Sequence, residues 1–248
     1  HGLISTGDIF GSAYDQMATT RRLVVPDLLG FGRSMDEERS SFLPDEHLDA
    51  LDELADRAGL FETRRWILGA HSMGSALALL WAARHPDRVV RIVCWGAPVY
   101  RSPGAARHHV AGSPMAKLFA LDTDLAARAC AVSCRHRTAA GWLSAIAEPR
   151  LPIPVARAAP LHTWPAYRDA VRHLVLDVDW ERLLVACDRH DVEVRFIWGA
   201  QDRVGDRIHA RRIATGTRST VVELPTGDHR LPVTDPSTCI AQLVEAHR

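Results

Sequence analysis

Lysine is nearly absent: of 30 Lys and Arg residues, only Lys117 is a lysine, which confines any lysine-based chemistry to that one position. An excess of charge is absent too. Thirty basic residues face 30 acidic ones, no run of like charge forms a basic arm, and nucleic acid is therefore not expected as a partner. No apolar run approaches the roughly 20 residues a membrane helix needs, so no membrane span is expected. The chain also has no initiator methionine. It opens on "HGLISTGDIF", so the lack of a signal peptide says little, and localisation stays open with the cytoplasm favoured.

Paired cysteines are missing as well. The five, Cys94, Cys130, Cys134, Cys187 and Cys239, are odd in number and scattered, unlike a disulfide framework, and are read as reduced. Cys130 and Cys134, with His136 just beyond, have half the spacing of a metal site. No second ligand pair follows, so they are read as small apolar helix residues, and neither a metal nor a cofactor is called for.

The 248 residues present suffice for one well-buried core, and 47% hydrophobic with 24% charged residues is ordinary for a globular protein. Short runs rich in β-branched residues occur at 21–27, 64–72, 88–96, 192–199 and 219–225. They read as strands buried on both faces, as in a parallel sheet. Helical patterns alternate with them: "DEHLDALDELADRAG", with Leu48, Leu51, Leu54, Ala55 and Ala58 on one face and Gly59 as a stop; "GSALALLWAARHP", closed by Pro86; and "DPSTCIAQLVEAHR" at the end. The alternation predicts an α/β fold with helices on both faces of the sheet. It breaks once, for about eighty residues after "CWGAPVY", a length that argues for an inserted helical subdomain rather than a loop. The expected organisation is therefore a core formed by 1–98 and 179–248, with a helical cap at 99–178.

The sharpest chemical signal is "LGAHSMGSALALL", where Ser72 stands between an apolar strand and an apolar helix. A turn this tight requires small residues two before and two after the serine, here Ala70 and Gly74. It would lift the hydroxyl above the strand ends and aim the Met73 N–H at a developing oxyanion.

With this elbow, "VVPDLLGFGRS" before it and "HPDRVVRIV" after it, the chain resembles the α/β-hydrolase family over all but the cap. The resemblance implies a Ser, acid, His order, with the acid after the penultimate strand and the histidine after the last. Asp202 in "FIWGAQDRVGD" and His229 in "LPTGDHRLP" occupy those places. Asp206 and Asp228 compete for the acid role, and His209 and His71 for the base. His209 is disfavoured because its helix reads as solvent-facing, and His71 because it should point away from the site.

The expected activity is cleavage of a carboxylic ester, lactone or thioester of a small to medium, mostly apolar substrate through an acyl-enzyme. Met115, Phe119, Trp142, Trp164 and Tyr167 are candidates for an apolar wall contributed by the cap, though packing of the cap's own core explains each equally well. Haloalkane dehalogenases and epoxide hydrolases of this fold use aspartate where Ser72 stands. Plant-type hydroxynitrile lyases need a cap lysine, and carbon–carbon bond hydrolases often carry Asn where this chain has His71. A carbon–carbon bond hydrolase or an acyltransferase with the same Ser-His-Asp triad remains as an alternative, and behind these a non-catalytic ligand-binding receptor of the same fold.

In this family a His-Gly pair ends the third strand and the next residue donates the second oxyanion N–H, which assigns that role to Leu3. The resemblance further implies strands before His1, including the one between the strands ending near Asp27 and near His71. The chain is therefore expected to be an N-terminal truncation lacking roughly 20 to 30 residues, on ordinary strand lengths.

Overall fold

The computed structural model describes residues 1–63, 65–112 and 124–244. Met115 and Phe119 lie outside them, as does Lys117. Among the described residues the sheet has four strands, β1 (Trp66–His71), β2 (Val89–Trp95), β3 (Glu193–Gly199) and β4 (Thr220–Leu224), in the order β1-β2-β3-β4. All three pairings are parallel, with Ala70 beside Cys94, Cys94 beside Phe196 and Ile197 beside Val222. Parallel neighbours need crossovers, and these are helical.

In chain order the helices are α1 (Pro44–Arg57), α2 (Gly74–Arg84), α3 (Pro103–Ala111), α4 (Asp124–Arg135), α5 (Arg137–Ala147), α6 (Ile153–Arg157), α7 (Trp164–Val171), α8 (Trp180–Asp188), α9 (Arg207–Ala214), α10 (Leu231–Thr234) and α11 (Pro236–Val244). Helices α3 to α8 fall between β2 and β3, and α3 to α7 of these occupy the stretch where the strand rhythm of the sequence breaks.

Four of the five expected strands form. The fifth, 21–27, joins no ladder among the described residues. Leu23 to Pro26 line, together with Ile67 to Ala70 of β1, a groove of about 400 Å³. A strand needs a hydrogen-bonding neighbour within about 5 Å, and across this groove the segment has none. Its β-branched residues make it extended without making it a strand.

Helix α2 is buried almost all round, which explains its apolar sequence: Leu77 and Leu79 are both sealed in the core. Each such side chain contributes about 1.5–3 kcal/mol relative to exposure. Helix α1 opens with Pro44 at its first turn and with the Glu46 carboxylate accepting the Leu43 N–H at 2.7 Å. It is fastened to α2 through Asp52, whose carboxylate accepts from Trp81 Nε1 at 2.7 Å, Arg84 at 3.1 Å and His85 Nε2 at 2.6 Å. Burial alone would raise the pKa of Asp52, but the hydrogen bonds from Trp81, His85 and Arg84 outweigh it and hold the carboxyl below its ordinary value.

A carboxyl with a depressed folded-state pKa stabilises the protein above its unfolded pKa, and that contribution is lost as pH falls through the folded value. Asp52→Asn should therefore lower the melting temperature at neutral pH. The two melting curves should converge as acid titrates the wild-type carboxyl, which thermal denaturation from pH 7 down to pH 3 would measure.

Candidate active site

Ser72 sits at the carboxyl end of β1, at φ +52°, in the left-handed region that side chains bearing a Cβ seldom enter. A residue held there costs of order 1–3 kcal/mol, which the surroundings must overcome. Three contacts do so. The Ser72 N–H donates to the Trp95 carbonyl of β2 at 2.8 Å, the Ser72 carbonyl accepts the Ser75 N–H at 2.9 Å, and Met73, fully buried, leads into α2. The need for a small residue at 74 is explicit: a Cβ there would lie 2.7 Å from the His1 carbonyl oxygen.

The chain start runs against this turn. A Cβ on Gly2 would come within 2.9 Å of Ser72 Cβ, so Leu3 follows directly beside the serine. The His1 ring locks the segment, with Nδ1–H donating to the Gly2 carbonyl at 2.9 Å and Nε2 accepting the Leu28 N–H at 2.8 Å. Asp27, reached by the extended segment, accepts the Gly7 and Arg33 N–H groups, each at 2.7 Å.

Past β4, the loop places His229 with Nε2 3.0 Å from Ser72 Oγ and Nδ1 3.1 Å from Asp202 Oδ2. Asp202 follows β3, is 4% exposed, and also accepts the Val204 N–H on Oδ1 at 2.8 Å. Nδ1–H donating to the carboxylate leaves the Nε2 lone pair facing the serine hydroxyl. The rival acids are occupied elsewhere. Asp206 caps α9 through the His209 N–H and pairs with Arg101 at 2.8 Å, and Asp228 is held by Arg230.

Two expectations are corrected. His209 is buried rather than solvent-facing, because α9 is amphipathic and turns His209, Ala210, Ile213 and Ala214 inward. Nor does His71 point away from the site. Its ring lies 4.7 Å from that of His229, and its Nε2–H donates to the His229 carbonyl at 2.7 Å. Alternation along β1 puts His71 on the face opposite its neighbours, and on that face the His229 loop crosses the strand end. Burial, reinforced by the neighbouring His229, pushes the His71 pKa well below its ordinary value, so the ring stays neutral.

Sequence reasoning missed Gly96. It follows β2 at φ +60°, and a Cβ there would lie 2.7 Å from His229 Nδ1 and 2.8 Å from Asp202 Oδ2. A glycine closing the strand next to the elbow strand was the available signal.

Of the aromatic candidates between β2 and β3, Tyr167 is buried and packs with Trp164, Tyr100 and Leu3 in one cluster. Trp142 stands apart, 48% exposed beneath the Arg157 guanidinium, which lies 4.3 Å from its ring centroid. It caps the outside of the insertion rather than forming a wall with the other two. Among the described residues no group of three His, Cys, Asp or Glu could hold a metal ion, and no helix is long and apolar enough to cross a membrane.

Known proteins share this architecture. A thermophilic esterase from Thermogutta terrifontis superposes with a TM-score of 0.68 at 20% identity, covering 98% of this chain and 85% of that one. The enol-lactonase from Burkholderia xenovorans LB400 superposes with a TM-score of 0.67 at 18% identity, covering 98% and 87%. By sequence, the chain is 38% identical over 91 residues to the 2-hydroxymuconate semialdehyde hydrolase of Pseudomonas putida, covering 35% of this chain and 30% of that protein. It is 30% identical over 108 residues to the probable lysophospholipase BODYGUARD 2 of Arabidopsis thaliana, covering 42% and 22%. These matches span less than a third of each curated relative. The model of the alpha/beta hydrolase family, by contrast, matches residues 1–242, nearly the whole chain, and the chain belongs to that family.

Proposed function

We propose that this chain hydrolyses carboxylic esters, lactones or thioesters of small to medium, mostly apolar substrates. The observation that carries the reading is the relay from Asp202 Oδ2 through His229 to Ser72 Oγ, at 3.1 and 3.0 Å, on a serine held at positive φ. In this reading His229 Nε2 takes the hydroxyl proton as Ser72 Oγ attacks the carbonyl carbon. The backbone N–H groups of Leu3 and Met73 receive the oxyanion. Asp202 keeps His229 in the required tautomer and stabilises the imidazolium that forms. As the tetrahedral intermediate collapses, His229 returns the proton to the leaving alcohol or thiol. It then activates water to release the acid.

Neutral His71 serves this cycle, because a second cation 4.7 Å from the His229 ring would oppose imidazolium formation. The helical insertion at 99–178 acts as the cap, and Trp164 and Tyr167, packed with Leu3, close the acyl side of the site. The match to 2-hydroxymuconate semialdehyde hydrolase supports carbon–carbon bond hydrolysis with the same residues as a second reading. A panel of activated esters beside a vinylogous diketone separates the two.

Ser72→Ala should lower turnover of a p-nitrophenyl ester by about four orders of magnitude or more and abolish fluorophosphonate labelling. A variant within tenfold of the parent would end the proposal. Gly96→Ala inserts a methyl between His229 and Asp202. It should lower kcat about a hundredfold, the usual cost of displacing a catalytic group by about 1 Å, while leaving KM nearly unchanged. Steady-state kinetics on the same ester reads both constants.

A further inference from the structure

Helix α4 carries Cys130 and Cys134 one turn apart, with their sulfurs 3.5 Å from each other. Cys130 is buried, whereas Cys134 is only partly so and lines an open hollow bounded by Arg135, His136, Arg137, Thr138 and Ala139. His162 closes the inner side. Its Nδ1–H donates to the Ala159 carbonyl at 3.0 Å, which leaves the Nε2 lone pair 3.7 Å from Cys130 Sγ. The Cys134 thiol donates to the His162 carbonyl at 3.1 Å.

The two thiols are unequal. Hydrogen bonding from Cys130, aided by the Arg137 charge against the opposing effect of burial, lowers Cys134 from its ordinary value. The same contact, together with burial, pushes Cys130 up. The remaining cysteines, Cys94, Cys187 and Cys239, are buried, and burial raises each to about 12. One accessible, acidic thiol beside one buried, protonated thiol is the arrangement of an attacking and a resolving cysteine.

We infer that Cys134 and Cys130 form a peroxide-reactive dithiol, a modification site separate from the Ser72 centre. The Cys134 thiolate attacks the terminal oxygen of a hydroperoxide, the O–O bond breaks, and the departing alkoxide or hydroxide takes up a proton. Cys134 becomes a sulfenic acid as the peroxide is reduced by two electrons. Cys130 then attacks the Cys134 sulfur. Its proton passes by way of His162 Nε2 to the leaving hydroxide, so that the S–S bond forms, the S–O bond breaks and water departs.

Closing the sulfurs from 3.5 Å to bonding distance exceeds what a regular helical turn permits, since Cβ atoms one turn apart are about 5–6 Å apart and a disulfide needs about 3.8 Å. The end of α4 must open. Cys134 is the penultimate residue of that helix, so the turn to be released is the last, closed by the His136 N–H to Val132 carbonyl bond. His162 also forms a β-bridge with Phe31, whose ring meets that of His1, so the dithiol is linked through two residues to the segment beside Ser72.

The test uses the full chain, hydrogen peroxide at one to about ten equivalents, alkylation of remaining thiols, and mass spectrometry of the tryptic peptide 129–135, which holds both cysteines. That peptide should lose two hydrogens and resist alkylation until reduced, at least about tenfold faster than Cys94, Cys187 or Cys239 reacts. In Cys130→Ser, Cys134 should accumulate as a sulfenic acid trapped by dimedone, and in Cys134→Ser, Cys130 should remain unoxidised. The inference is overturned if wild type gives a sulfinic acid or an intermolecular disulfide instead. It also fails if the peptide reacts no faster than the other three cysteines, or if Cys130 is oxidised at the wild-type rate without Cys134. The wild-type measurement decides even where a variant folds poorly.

Discussion

Ser72 is held at φ +52°, and most of the structure around it exists to keep it there. Left alone, the residue would relax into the ordinary right-handed or extended regions and its hydroxyl would drop back among the strand ends. Relaxation is prevented by the Trp95 carbonyl holding the Ser72 N–H, by the buried helix that begins immediately after it, and by the His1–Gly2 backbone pressed against the turn. These restraints come from β2, α2 and the chain start. The strain at one residue is thereby spread over a packed core that cannot shift without losing far more than the strain costs.

The partner histidine presents the opposite problem, since it lies on a loop and loops move. His229 is steadied by Asp202 on Nδ1 and by the His71 ring Nε2–H on its carbonyl, while Gly96, having no side chain, leaves room for the His229–Asp202 pair. The His71 contact depends on burial. A neutral ring with Nε2–H directed at a carbonyl both positions the loop and adds no charge beside the imidazole, two ends served by one desolvated side chain.

The helices between β2 and β3 share the main core, through Ala166, Ala170 and Leu184 among others, and meet the first part of the chain along a seam. Gly32 N–H donates to the Leu161 carbonyl at 2.8 Å, Phe31 bridges His162, and Tyr167 and Trp164 gather around Leu3. This seam brings the cysteine pair of α4 within two side chains of the segment beside the serine. Trp142 and Arg157 stack on the far side and belong to the outer surface.

The elements legible in the sequence are those fixed by local pattern: β1 to β4, α1, α2 and α11 follow from hydrophobic period, capping and glycine or proline stops, and the Ser72 turn from its small flanking residues. Segment 21–27 has the local pattern of a strand, yet pairing is a property of two segments, and across the groove from β1 it has no partner. The orientations of His71 and His209 were likewise beyond the sequence, because which way a side chain faces depends on what crosses above its strand or packs beneath its helix. Gly96 acquires its meaning only when two loops from distant parts of the chain converge on it. Local backbone chemistry is written within a few residues and can be read there; contacts between residues 27 to 157 positions apart, such as His229 with Asp202 and with Ser72, are decided by how the sheet folds them together.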